Sequence, residues 1–154
     1  SEQITVTAWV YPTEAAIDGT SRTRGSAVGG PDTMYLGIIA SPAGSVDWSH
    51  GHWCIQTSSM RQCFSSGTVM SNQWTHLAGV YDGSELRFYI DGQAVADSPK
   101  ALSGTIAAGM TYWLGTYQGL ADHNHNFAGG VDDVRIYGYA LTPAEIKGVM
   151  VNLK

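Results

Sequence analysis

Residues 73–98 constrain the fold more than any other stretch. Three short segments, QWTHLAGVYD (73–82), ELRFYID (85–91) and QAVADS (93–98), are separated by Asp82-Gly83 and Asp91-Gly92. Asp-Gly supplies the positive φ values that tight hairpin turns require, and the flanking segments are rich in β-branched and aromatic residues. The pattern predicts a three-stranded antiparallel meander.

Further strands follow from the same reasoning. Residues 4–11, ITVTAWVY, alternate, with Val6, Ala8 and Val10 on one side and Thr5, Thr7, Trp9 and Tyr11 on the other. That is the period of a strand, and Pro12 ends it. Residues 34–41, 111–117 and 127–137 also read as strands, the last with an irregularity expected at Gly129-Gly130. HWCIQT (52–57) and MRQCFS (60–65) read as a hairpin around Ser58-Ser59. Residues 13–33 are rich in Gly, Ser, Thr and charge and read as a long loop, as does 46–53. One helix is expected over 143–150, with Thr142 as N-cap, Pro143 in the first turn and Glu145 completing a capping box.

This succession predicts an all-β chain: a two-sheet antiparallel β-sandwich with one short C-terminal helix. A length of 154 residues is read as a single domain, 1–154. The 19 glycines suit many tight turns. The formal net charge is −5, with eight scattered Lys and Arg, which argues against nucleic acid as a partner. No apolar run approaches the roughly 20 residues that span a bilayer, so no membrane insertion is expected. No signal peptide is visible, and the chain reads as a mature fragment or an excised domain. Cys54 and Cys63, the chain's two cysteines, closely spaced across the expected hairpin, predict a disulfide formed in an oxidising, extracellular setting.

Three blocks carry a family likeness: TVTAWVYP (5–12), NQWTHLAGVYDGSELRFYIDGQAVA (72–96) and FAGGVDDVRIYGYALTPAEI (127–146). Their order and spacing resemble the laminin-G-like branch of the concanavalin-A-like lectin/glucanase superfamily. The resemblance implies a two-sheet jelly roll, a fold that hosts lectins, carbohydrate-binding modules, adhesion domains and some glycosidases. It also implies a further strand ahead of residue 5, beside the last strand. The sequence starts just ahead of residue 5, so that strand is read as either trimmed or absent, and an open sheet edge and a homodimer through it are the corresponding expectation. Calcium is the candidate cofactor, and by position Asp132 is the expected ligand. Within such a sandwich Trp9, Trp74, Leu77, Val80, Leu86, Phe88 and Ile90 are expected between the sheets.

Two His-x-His segments stand out, WSHGHW (48–53) and YQGLADHNHNF (117–127). On a strand each pair would share a face and could chelate a transition metal. As loops they are ordinary polar connections. The preferred reading is a sugar-contact rim, because pyranose recognition needs aromatic faces and planar hydrogen-bonding groups. Its candidate residues are Trp48, His50, His52, Trp53, Tyr117, Asp122, His123, Asn124, His125 and Asn126.

Catalysis is not expected. Retaining glycosidases need two carboxyls about 5 Å apart, and Glu2, Glu14, Glu85 and Glu145 are isolated in the sequence. Asp132 and Asp133 are adjacent and would face opposite ways on a regular strand. A lyase built on His123 and Tyr117 is the residue-level alternative. The expectation is thus a secreted, non-catalytic module that binds a glycan or polysaccharide. A protein-binding or structural domain is the second reading, and a polysaccharide-degrading enzyme domain the third. Arg22, Arg24 and Arg61 are the residues from which a local basic cluster for anionic glycans would have to be drawn.

Overall fold

The computed structural model describes residues 2–16, 24–30, 33–41, 45, 47–107, 111–116 and 126–151. Among these residues eleven strands run β1 (Ile4–Pro12), β2 (Arg24–Gly30), β3 (Met34–Ile39), β4 (Trp48–Gln56), β5 (Arg61–Met70), β6 (Thr75–Tyr81), β7 (Glu85–Ile90), β8 (Gln93–Ala94), β9 (Lys100–Ala101), β10 (Trp113–Leu114) and β11 (Gly129–Tyr137). They are followed by one helix, α1 (Pro143–Val151). A six-stranded sheet has the order β11-β1-β6-β7-β8, with β9 also pairing β7. A five-stranded sheet has the order β10-β2-β3-β4-β5. All ladders between these strands are antiparallel.

The core lies between the sheets. Val6, Ala8, Val10, Leu77, Leu86 and Phe88 from one sheet meet Leu36, Trp53, Ile55 and Phe64 from the other. Each such side chain, fully buried, stabilises the fold by about 1.5–3 kcal/mol before ordering costs. A second, smaller cluster lies on the outer face of the six-stranded sheet, where Ala78, Val80 and Tyr89 are covered by Leu141 and Ile146. The Thr5 hydroxyl holds this layer in place: it donates to the Tyr139 carbonyl at 2.8 Å and accepts the Leu141 amide at 2.9 Å. The helix starts with the expected capping box. The Glu145 carboxylate accepts the Thr142 amide at 2.8 Å, and Thr142 Oγ1 accepts the Glu145 amide at 3.3 Å.

The meander forms as read. At Asp91-Gly92 both residues have positive φ, 48° and 71°, the conformation of a I′ turn. At the other turn only Gly83 is positive, at 99°, and the Asp82 carboxylate instead gathers the Ser84 and Glu85 amides at 2.9 and 2.8 Å. QAVADS contributes only the two-residue β8.

Three expectations need correction. Residues 24–30 lie inside the stretch read as a loop but form a central strand. Packing leaves little room at Gly25, where a Cβ would lie 3.1 Å from Ile38 Cγ1. Residues 48–53 belong to β4, not to a loop. Trp9, Trp74 and Val80 sit on the outer face of the six-stranded sheet rather than between the sheets, as the alternation within 4–11 already required of Trp9. Trp74 is 49% exposed. β11 is irregular at two places: Gly129, where an irregularity is expected, has φ 143°, and Asp133, φ 45°, marks the register shift against β1 between Thr7 and Trp9.

Candidate functional site

The first His-x-His segment is a strand, and period two sorts its side chains. Ser49, Gly51, Trp53 and Ile55 point between the sheets. A Cβ on Gly51 would touch the Phe88 ring, and one on Gly79 would fall inside the Trp53 indole. Trp48, His50, His52 and Cys54 point to the outer face of the five-stranded sheet. WSHGHW therefore splits into three inward residues (Ser49, Gly51 and Trp53), one buried outer residue (His52) and two half-buried outer ones (Trp48 and His50). Trp53 is 0% exposed and serves the core, so it offers no face to a ligand.

His52 is 3% exposed. Its Nδ1 lies 2.9 Å from Ser65 Oγ and its Nε2 3.2 Å from Cys54 Sγ. The Tyr35 ring meets it edge-on at 5.0 Å. Burial, helped by the positive charge of Arg24, pushes its pKa down to about 4, so the ring is neutral at pH 7. The expected disulfide is present: Cys54 and Cys63 face each other across β4 and β5 with Cα atoms 4.1 Å apart.

His50 and Trp48 lie at the start of β4 and are half-buried. Their rings meet edge to face at 5.1 Å. His50 Nδ1 donates to the Gly67 carbonyl at 2.8 Å, which fixes the ring plane. Register carries this row across the sheet, from His50 to Ile39 to Arg24. Arg24 also lines a small cavity with Glu14 and Asn126 at the same end of the sandwich. The Ala16 amide, bonded to Ser49 Oγ at 2.8 Å, ties residues 14–16 to the start of β4.

Asn126 connects the second motif to this sheet through a bridge to Ser26. Ser26, Gly37 and His52 lie on one line across β2, β3 and β4. At the usual strand spacing Asn126 is thus roughly 14 Å from His52, backbone to backbone. Tyr117, Asp122, His123, Asn124 and His125 lie outside the described residues. So does Arg22. Arg24 and Arg61 stand at opposite ends of the sheet, level with His50 and Gln56. Six residues of strand put them roughly 20 Å apart, so they form no basic cluster.

Asp132 is exposed on β11 opposite Trp9, and one of its oxygens accepts the Asp133 amide at 2.8 Å. Asp133 sits in the bulge rather than on a regular strand, and its Oδ1 accepts from Arg135 Nε at 2.8 Å. Among the described residues, the group of three potential ligand side chains that converges is His52, Cys54 and Cys63, and Asp132 is not part of it. Among the described residues, no two further carboxylate, His or Cys side chains gather with Asp132 to form a calcium site.

Most other carboxylates have structural partners. Asp82 and Glu85 flank Arg87 at 2.6 and 2.9 Å. Asp97 pairs with Lys100 at 2.9 Å, and Glu145 caps the helix. No helix among the described residues is long and apolar enough to cross a membrane.

Comparison with known proteins agrees with this architecture. Residues 1–147 match the family described as the concanavalin A-like lectin/glucanases superfamily. Pappalysin-1 of Mus musculus is 31% identical over 79 residues, which is 51% of this chain and 5% of that protein. Pappalysin-1 of Homo sapiens is 29% identical over the same share. The chain thus matches only a small part of these curated relatives. Among solved structures, domain 4 of an extracellular GH43 arabinanase from Geobacillus stearothermophilus, in complex with arabinotriose, superposes with TM-score 0.59 and 23% identity, covering 97% of this chain and 66% of that one. The CBM40 of a Ruminococcus gnavus IT-sialidase, bound to α2,3 sialyllactose, gives TM-score 0.66 at 13% identity, covering 96% and 82%. A heptameric SAP-like pentraxin from Limulus polyphemus gives 0.67 at 17%, covering 96% and 69%.

Proposed function

This chain belongs to the concanavalin A-like lectin/glucanase superfamily, and on that premise we propose that it is a non-catalytic, glycan-binding module of an extracellular protein. The observation that carries the reading is the Trp48–His50 pair. Both rings stand half-exposed on the outer face of the five-stranded sheet, at the end where Arg24 and Asn126 also lie. An indole supplies the apolar face on which a pyranose stacks. An imidazole held by the Gly67 carbonyl and the Asn126 amide supply directed hydrogen bonds to hydroxyls. Solved relatives in complex with arabinotriose and sialyllactose support a sugar as the ligand class. The engagement of Asp82, Glu85, Asp97 and Glu145 in ion pairs and caps supports a binding rather than a hydrolytic role. The disulfide supports an oxidising compartment and hence secretion.

The test is binding to a panel of soluble polysaccharides and glycans, with calcium and with EDTA. Trp48→Ala and His50→Ala each weaken a hit about tenfold while the unfolding midpoint stays within a degree or two. Substituting His123, Asn124 and His125 together by alanine asks whether the second motif joins the same surface. Loss of binding in EDTA, reproduced by Asp132→Asn, places calcium in the site; indifference to EDTA removes calcium from this reading. Unchanged binding in all the alanine variants moves the site elsewhere.

A second reading has one observation in its favour. Trp74 is 49% exposed and leans on Tyr11, ring centroids 5.4 Å apart, on the opposite sheet. Such a platform suits a protein contact. Silence across the glycan panel, with a Trp74-dependent protein partner, favours it. Self-association through an exposed edge such as β11 would appear in sedimentation at two concentrations.

A further inference from the structure

His52, Cys54 and Cys63 converge in a way that neither glycan binding nor the disulfide alone requires. Their ligand atoms all lie within 4.8 Å of one another. The His52 ring is oriented from both ends, Nδ1 at Ser65 Oγ and Nε2 at Cys54 Sγ. We propose that the reduced form of this chain holds a thiophilic divalent cation of the zinc class between Cys54 Sγ, Cys63 Sγ and His52 Nε2.

The geometry is close to what such a site needs. Zn–S bonds of about 2.3 Å and Zn–N bonds of about 2.0 Å place tetrahedral ligand atoms roughly 3.5–3.8 Å apart. His52 Nε2 is already 3.2 Å from Cys54 Sγ. The β4–β5 ladder holds the two cysteine Cα atoms 4.1 Å apart, so each sulfur needs only to turn about its Cα–Cβ bond once the disulfide is broken. Metal-bound histidines hand their second ring nitrogen to a nearby oxygen, which fixes the ring. Ser65 Oγ stands in that place, and its hydroxyl rotates to accept from Nδ1–H when Nε2 is bound to the metal. The Tyr35 ring and the surrounding sheet exclude water from His52 and Cys54, while Cys63 is partly exposed and gives the ion a way in.

The chemistry balances as two steps. A phosphine and one water reduce the disulfide, giving two thiols and the phosphine oxide. The cation then displaces the two thiol protons to solvent and takes the lone pair of Nε2, with water in its fourth position. The metal and the disulfide are alternative states of the same sulfurs, so the site opens only when a reductant reaches the chain.

The experiment uses the whole chain, reduced anaerobically with a phosphine and titrated with Co²⁺ as the spectroscopic probe. One equivalent binds, with thiolate-to-cobalt charge transfer and the intense visible bands of a tetrahedral ion, and the oxidised chain shows neither. The unfolding midpoint of the reduced chain rises when metal is added. His52→Gln lowers the affinity of the reduced chain at least tenfold. Should that variant fold poorly, the ring ¹⁵N resonances of the unsubstituted chain, recorded with Cd²⁺, show the Nε2 of one buried histidine shifting on metal binding. Equal affinity in the unsubstituted chain and His52→Gln overturns the proposal. So does an absence of thiolate charge transfer, an unmoved His52 resonance, or a reduced chain that metal does not stabilise.

Discussion

The Trp53 indole of one sheet fills the space that a side chain on Gly79 of the other would need. Both residues are buried, and a side chain at position 79 would have to displace the indole. Gly79→Ala is therefore expected to destabilise the fold by about 1–3 kcal/mol, the usual cost of overpacking. Chemical denaturation followed by tryptophan fluorescence measures it. An unchanged midpoint would mean that the sheets separate more easily than this packing implies. Loss of glycan binding in Trp53→Ala would report a cavity costing about 3–5 kcal/mol, not a lost ligand contact.

Removing the disulfide tests a different layer of the same hairpin. Cys54 and Cys63 are directly opposed, and the β4–β5 ladder pairs residues on both sides of the bond. The enclosed loop is short, and chain entropy assigns it about 2–3 kcal/mol. Cys54→Ser with Cys63→Ser should lower the unfolding free energy by that amount and leave the far-ultraviolet circular dichroism unchanged. Loss of the β signal at room temperature would show that the ladder depends on the bond.

The meander, β1, the capped helix and the disulfide were legible because each rests on local chemistry: alternation, Asp-Gly turns, a T-x-x-E box and paired cysteines. β2 was not. Its sequence, RGSAVGG, has the composition of a loop, yet its small residues answer to a neighbour. Gly37 of β3 leaves no room for a Cβ against the backbone carbonyl of residue 25, and a Cβ on Gly25 would press on Ile38 Cγ1 at 3.1 Å. The site was half legible. Period two would put His50 and His52 on one face of a strand, but the stretch reads as a loop in sequence, and only the register shows that Ser65 and Tyr35 bury the second and leave the first near the surface. The placing of Trp9 and Trp74 between the sheets failed because a tryptophan beside a strand is also suited to a sheet's outer face, where Tyr11 and His76 receive them.

The helix cap makes a prediction about the outer layer. Ile146 is fully buried on Ala78 and Val80, and the Thr142–Glu145 pair sets where α1 begins. Thr142→Ala removes the side chain that accepts the Glu145 amide and should cost about 1 kcal/mol. Glycan binding should be unaffected, because α1 lies on the opposite sheet from Trp48 and His50. A calorimetric midpoint, read beside the binding isotherm, checks both parts. A cap variant that loses affinity would couple the two outer faces.

The buried histidines set an acid limit on stability. His52 is pushed down to about 4 by burial and then by Arg24. His76 is pushed down to about 4 by burial, which outweighs the opposing carboxylates of Asp91 and Asp133. In the unfolded chain both titrate near 6.5. Between those values the unfolded state binds more protons than the folded one, so stability falls as pH falls. It is fully present above about pH 6.5 and declines by roughly 1.4 kcal/mol per pH unit for each histidine down to about pH 4. Asp82 and Asp97, whose pKa values lie below their ordinary range, contribute their own loss only at lower pH. Urea midpoints taken at intervals from pH 7.5 to pH 4 should therefore bend near pH 6.5. His52→Gln should halve the slope below the bend. A flat profile across this window would mean that both rings find water or a carboxylate on protonation, and that the outer faces over His52 and His76 open more readily than their packing indicates.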